Sequence, residues 1–390
     1  MSRGKLGHQL LAVYAVKWDI FCSVVDNFGD IGVTWRLAKQ LVAEQDVAVR
    51  LWVDDVGAFA RICPAADPYA DCQVQQGVAV CAWHAQWPAT EPGDVVVEAF
   101  ACHLPQAYVA AMAARERKPL WLNLEYLSAE DWVAGCHGLP SMQSNGLQKY
   151  FFFPGFSPDT GGLLRESNLI AERQGFQADR DAGSGFLRGL GVEPVAGSRL
   201  ISLFAYENAA LPSWLDALSV MQHATQLLVP EGRILADVQA WLGSDALKVG
   251  DCQVRGQLQI NVLPFVEQSQ YDRLLWSCDF NAVRGEDSFL RAQWAGRPML
   301  WHIYPQEEGA HWDKLNAFLE GYTQGLSAPA RDALVALWRD WNGGQSTSKS
   351  WSLWQENAEE LTVHAEKWCL EQASRTDLAT ALVQFQQNWL

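Results

Sequence analysis

The sequence predicts an α/β fold built as two domains. Apolar strand-like runs alternate with helical stretches in two separate series. The two series are parted by residues 157–198, a charged segment containing Gly161, Gly162, Gly183, Gly185, Gly189, Gly191 and Gly197. The first series opens on Trp18–Trp35, which reads as strand, glycine-containing turn and helix.

In that opening unit, the run Ile20–Val25 meets two carboxylates, Asp26 and Asp30, among Asn27, Gly29 and Gly32, and a helix follows over about Val33–Leu41. Ligands of α/β domains collect outside the carboxyl ends of the strands, where this turn falls. Two acids there can grip a cation or move a proton. They can equally end a strand and cap a helix, since Asp is favoured at both places. Further strands are expected at Val47–Val53, Val78–Trp83, Val95–Glu98, Pro119–Leu124 and Gln148–Phe153, with a helix at Leu104–Ala114. The alternation implies a mostly parallel sheet covered by helices on both faces.

The second series begins at Arg199. Strands are expected at Leu200–Phe204, Thr225–Val229, Gln257–Leu263, Cys278–Val283 and Met299–Ile303, with helices at Leu211–Gln222, Ser269–Ser277 and Ser288–Trp294. From Ala328 the pattern is helical and rich in Trp, and Leu361–Trp389 is amphipathic without a strand. The expected organisation is an extension over 1–16, a first domain over 17–180, a linker over 181–198, a second domain over 199–360 and a helical segment over 361–390.

The chain has 390 residues, 49% of them hydrophobic, enough for two sizeable cores. Forty-five acidic residues against 29 basic ones give a formal net charge of −16, which argues against nucleic-acid backbones or anionic membranes as the main partner. Residues Leu10–Val16 faintly resemble a signal peptide but are short and lack a small-residue cleavage site. No stretch approaches the roughly 18 apolar residues of a spanning helix. The nine cysteines form no C-x-x-C pair, and their odd number and loose spacing suit reduced, buried thiols in the cytoplasm.

The second domain holds the most specific cluster. After the strand ending at Val283 come Arg284-Gly285-Glu286-Asp287-Ser288 and a helix. Free N–H groups at the helix start, the Ser288 hydroxyl and the Arg284 cation would suit a diphosphate. Glu286 and Asp287 would repel phosphate, so they fit sugar hydroxyls better; the plainer reading is a capped helix. Phe204, Tyr206, Phe265 and Gln268 follow other strands and could offer an aromatic face and an amide to a nucleobase, although such aromatics often belong to a core. His302 and His311 have no common metal-ligand spacing and suit packing or hydrogen bonding. The phosphate-loop, G-x-G-x-x-G and G-x-S-x-G motifs are absent.

Two α/β domains, acids in the first, nucleotide-type groups in the second and a C-terminal helix outline a GT-B glycosyltransferase. The stretch Asp26-Asn27-Phe28-Gly29-Asp30-Ile31-Gly32, the segment Phe204-Ala205-Tyr206 and the cluster from Arg284 to Phe289 together resemble the bacterial protein-arginine rhamnosyltransferases that modify elongation factor P. The resemblance runs from Trp18 to the C-terminus. It implies two Rossmann-like domains facing across a cleft, with a C-terminal helix crossing back. It implies dTDP-β-L-rhamnose as donor, an arginine of elongation factor P as acceptor, inversion at the sugar, and neither metal nor cofactor. Asp26, Asp30 and Glu286 match the family's catalytic acids, Asp30 being preferred over Asp26 as general base. Phe204, Tyr206, Phe265, Gln268, Arg284, Asp287, Ser288 and Tyr304 match donor-contacting positions. Residue spacing alone leaves three other readings open: a GT-B enzyme for another nucleotide sugar, a Mg²⁺-dependent phosphohydrolase, and a sugar-nucleotide-binding protein without turnover.

Overall fold

Strands buried on both faces read as near-continuous apolar runs, and such runs sort the sequence into two sheets. The computed structural model describes residues 16–24, 28–179, 181–244 and 246–389. The expected extension over 1–16 therefore lies outside the described residues except for Val16, and Asp26 lies outside them too.

The first sheet contains β1 (Lys17–Cys22), β2 (Ala48–Val53), β3 (Cys72–Gln75), β4 (Val78–Ala82), β5 (Val95–Ala99), β6 (Leu120–Leu124), β7 (Pro140–Met142) and β8 (Gln148–Phe152). Its order is β3-β4-β2-β1-β5-β6-β8-β7. The six inner strands run parallel, while β3 and β7 close the two edges antiparallel. Between the strands come α1 (Gly29–Glu44), α2 (Val56–Ile62), α3 (Gln106–Ala114) and α4 (Trp132–Cys136). Every residue of β5 and β6 is buried, whereas the edge strand β3 alternates between exposed and half-buried.

Two helices, α5 (Leu169–Ala178) and α6 (Ala182–Gly189), occupy the glycine-rich segment and pack on the second half of the molecule. That half contains β9 (Arg199–Leu203), α7 (Leu211–Ser219), β10 (Thr225–Pro230), α8 (Leu235–Leu242), β11 (Cys252–Arg255), β12 (Leu258–Leu263) and α9 (Gln268–Ser277). It continues with β13 (Phe280–Arg284), α10 (Asp287–Trp294) and β14 (Met299–His302). The sheet order is β11-β12-β10-β9-β13-β14, parallel except for the edge strand β11.

Four helices then cover this sheet: α11 (Ala310–Tyr322), α12 (Ala328–Asn342), α13 (Ser348–Glu356) and α14 (Ala358–Ala373). The Trp-rich stretch becomes core here, with Trp341 and Trp351 edge-on to Trp214 and Trp354 edge-on to Phe280. The last helix, α15 (Leu378–Trp389), crosses back to the first half, where Phe385 packs on Phe152 and Gln45 donates to Thr380.

One expectation is corrected. Cys72 and Cys81 are joined as a disulfide. They face each other in the β3–β4 ladder, and because Ala82 N–H donates to Asp71 O, the Cys72/Cys81 position is the close, non-hydrogen-bonded kind of cross-strand pair. Spacing could not show this register. Of the remaining thiols, Cys252 is exposed and Cys136 half-buried, while the other five are buried.

In each sheet the chain builds outward from its first strand, then jumps to the opposite side of it. The jumps lie between β1 and β5 and between β9 and β13. A crevice opens at such switch points, beyond the carboxyl ends of the strands.

Candidate active site

The two crevices face one another, and the residues after each strand line the space between. Helix α1 starts at Gly29 with Phe28 as its N-cap and no side-chain cap bond. Asp30 is therefore not a capping residue. It sits in the first turn, 3% exposed, and accepts a hydrogen bond from the Tyr126 hydroxyl at 3.1 Å. The next residue along, Leu127, donates its backbone N–H to Glu286 Oε2 at 3.0 Å. Two consecutive residues of the loop after β6 thus link a carboxylate of the first half to one of the second.

Asp30 and Glu286 line one cavity together with Phe100, Tyr126, Tyr304 and Lys314. Phe100 stacks on Tyr126 with ring centres 4.5 Å apart, and Lys314 lies over the other partner of that stack, Tyr126. Phe100 and Ala101 both hold φ near +55°, a costly conformation for residues with side chains. This bend turns the chain after β5 toward the cavity.

Glu286 is half-buried by area, yet Phe289 and Trp301 wall the same cavity. Burial pushes its carboxyl up to about 8; the Leu127 N–H and Lys314 partly offset this, and Asp30 adds to it. Glu286 is the N-cap residue of α10 but makes no side-chain cap bond, so its carboxylate is directed to other partners.

A second cavity adjoins the first, lined by Phe28, Phe204, Tyr206, Phe265, Gln268, Tyr271 and the run Arg284–Ser288. The Arg284 guanidinium lies 4.6 Å from the ring centres of both Phe204 and Tyr206. Its Nη1 is buried and has no hydrogen-bond partner among the described residues. A buried cationic donor left unsatisfied at a helix start is a fitting mate for an anion. Phe265 packs on Phe28 across the cleft, at 5.3 Å. Tyr304 packs edge-on to Tyr206 at 5.5 Å and lines the first cavity. Gln268 is turned toward the other half, donating to Gly32 O at 2.9 Å.

The structure thus brings all the sequence-derived site residues it describes to one cleft. His302 packs on Tyr206 and Trp341, with its ring held neutral by burial at about 4, and His311 accepts from Gln306 N–H. Among the described residues no group of three or more His, Cys, Asp or Glu is arranged to hold a metal ion. Sequence reading missed Tyr126, Lys314 and Tyr271. Tyr126 was accessible in principle, because it lies two residues past the end of a strand.

Residues 18–387 match the family model described as Elongation-Factor P (EF-P) rhamnosyltransferase EarP. The chain belongs to that family. It is 61% identical over 373 residues to a protein-arginine rhamnosyltransferase of Pseudomonas putida, covering 96% of this chain and 99% of the relative. It is 58% identical over 374 residues to one from Pseudomonas aeruginosa, covering 96% and 100%. A solved structure described as the "Structural basis for EarP-mediated arginine glycosylation of translation elongation factor EF-P" matches with TM-score 0.71 at 46% identity, over 96% of this chain and 100% of that one. A UDP-glucosyltransferase from Polygonum tinctorium, at 12% identity and TM-score 0.54, shares the GT-B fold of the EarP family.

Proposed function

We propose that this EarP-family protein transfers L-rhamnose from dTDP-β-L-rhamnose to an arginine side chain of elongation factor P, inverting the anomeric carbon. The observation that carries the reading is the pairing of Asp30 and Glu286 across the cleft through Tyr126 and Leu127. One carboxylate lies at each switch point, and a cavity between them can admit a guanidinium.

The chemistry has a clear difficulty. A guanidinium has a pKa above about 12 and an ordinary carboxylate one near 4, so full deprotonation before attack would cost roughly 11 kcal/mol. Attack by the charged group would leave two positive charges on the product. The proton therefore leaves as the C–N bond forms, passing to an acid already hydrogen-bonded to the attacking nitrogen; Asp30 takes this role. Carboxylates on two sides of the planar fork fix its orientation and weaken its resonance toward the attacking nitrogen. On the donor side, Phe204, Tyr206, Phe265 and Gln268 hold the base and sugar region together with Tyr304. Asp287 meets sugar hydroxyls. Arg284, Ser288 and the first amides of α10 stabilise the charge that develops on the departing dTDP.

Inversion requires attack from the face opposite the leaving diphosphate, so acceptor and donor approach from different halves. The halves are joined by residues 153–168 and by the turn before α15, and we place the hinge of closure there. We place the protein in the cytoplasm with its acceptor; recovery from a periplasmic fraction would count against that.

The test is intact-mass spectrometry of elongation factor P after incubation with this protein and dTDP-β-L-rhamnose. A gain of one deoxyhexose, lost when the acceptor arginine is changed to lysine, is expected. No gain with this donor, but transfer from another nucleotide sugar, would overturn the donor and keep the class.

A further inference from the structure

Helix α1 carries Asp30 in its first turn and Arg36 nearly two turns later. Arg36 is 3% exposed and reaches across to the donor half. Its Nη1 and Nη2 donate to the two oxygens of Asp272 at 3.0 and 3.1 Å, and Nη2 also donates to Gln268 O. Its Nε lies 3.0 Å from Asp287 Oδ1, in charge contact without hydrogen-bond geometry. Arg291 grips the same Asp272 and also Glu166. Gly32 lies at this approach, and a Cβ there would come 3.3 Å from Gln268 Nε2, a tight contact that the amide would have to relieve.

Asp287 poses an electrostatic problem. It is the first residue of α10, in the wall of the donor cavity, where a diphosphate is expected. A bare carboxylate there would repel the ligand's charge at short range in a poorly hydrated site. The counter-charges near it are Arg36, which reaches it from the other half of the molecule, and Arg291, on α10 itself.

We infer that Arg36 is a positioning residue for donor binding: by neutralising and orienting Asp287, it lets the start of α10 accept a nucleoside diphosphate while Asp287 addresses the sugar. The inference rests on the donor reading above and deepens it. Arg36 does not line the donor cavity. It acts through Asp287, and it ties the helix that bears the general base to the helix that faces the leaving group.

The test measures binding of dTDP, by calorimetry, to the full chain and its variants. Arg36→Met is expected to weaken dTDP binding at least about tenfold. The deciding variant is the double Arg36→Met, Asp287→Asn. Removing the stranded carboxylate is expected to restore most of the lost dTDP affinity. A purely structural role would weaken binding of uncharged thymidine as much as that of dTDP, and equal losses for the two overturn the inference. Should Arg36→Met not fold, Arg36→Gln is read the same way, and equal losses for dTDP and thymidine there defeat the inference. Failure of wild-type protein to bind dTDP would instead defeat the donor reading.

Discussion

Asp30 and Glu286 divide the work at the level of single residues. Asp30→Asn keeps the Tyr126 contact available but removes the proton acceptor. We expect single-turnover transfer, with donor and acceptor both bound, to fall by about 10²- to 10⁴-fold, while dTDP affinity stays unchanged. Near-normal transfer would remove Asp30 from the mechanism. Glu286 makes a pH-dependent prediction. Its carboxyl, raised to about 8 chiefly by burial, is mostly protonated at neutral pH in the free protein. An incoming guanidinium favours the ionised form and must displace that proton. Acceptor KM should therefore fall as pH rises toward about 8 and level off above it, and Glu286→Gln should flatten the profile. A wild-type KM independent of pH between 6.5 and 8.5 would contradict this. For folding, the sign is the reverse. The folded state holds a proton that the unfolded state gives up above about 4.5, so this group's contribution to stability is present at low pH and is lost as pH rises through about 8.

At the scale of elements, the crossings between the halves are tightly built. The loop after β8 and the turn before α15 meet in a bridge between Leu163 and Asp377. Gly162 holds φ at +72°, and a Cβ there would lie 2.2 Å from Thr376 O, a backbone atom that cannot swing aside. Gly162→Ala should lower the thermal midpoint by roughly 3–8 °C, from about 1–2 kcal/mol of backbone strain plus the clash. An unchanged melting curve would show that the crossing yields easily. The elements also show where sequence reading stops. The buried parallel strands were legible as apolar runs, to within a residue or two at their ends except for β1, read as Ile20–Val25 and found over Lys17–Cys22. The edge strands β3, β7 and β11 were not, because they are short, exposed and lack an apolar face. The glycine-rich segment 157–198 contains α5, in the stretch expected as the end of the first domain, and α6, in the expected linker, since Leu169, Arg173 and Leu187 are buried there.

The whole molecule is held by charges buried between its halves. Burial disfavours the Glu166 carboxylate, but Arg291 and Arg36 outweigh it and bring its pKa to about 2. Its unfolded value is near 4.5, so its contribution is fully present above that pH and is lost as pH falls toward about 2. Denaturant titrations from pH 7 to pH 2 should show this loss, and Glu166→Gln should remove part of the slope; an identical slope in both proteins would exclude the contribution. The cleft itself should narrow when the donor binds. Small-angle scattering is expected to show a smaller radius of gyration with dTDP-β-L-rhamnose than without, and no change would argue for a preformed closed site.

The sequence by itself determined the two α/β series, the acids after the first strand and the Arg284–Ser288 cluster, because strand burial and strand-end turns leave local patterns that a reader can follow. Its similarity to a known group of sequences supplied the roles. Only the tertiary structure decided that Tyr126 and Leu127 bridge Asp30 to Glu286, that Cys72 meets Cys81, and that Arg36 answers Asp287. Each of these joins residues far apart in the chain or in different sheets, and the register, helix approach and desolvation that create such contacts come into being only when the two halves pack together.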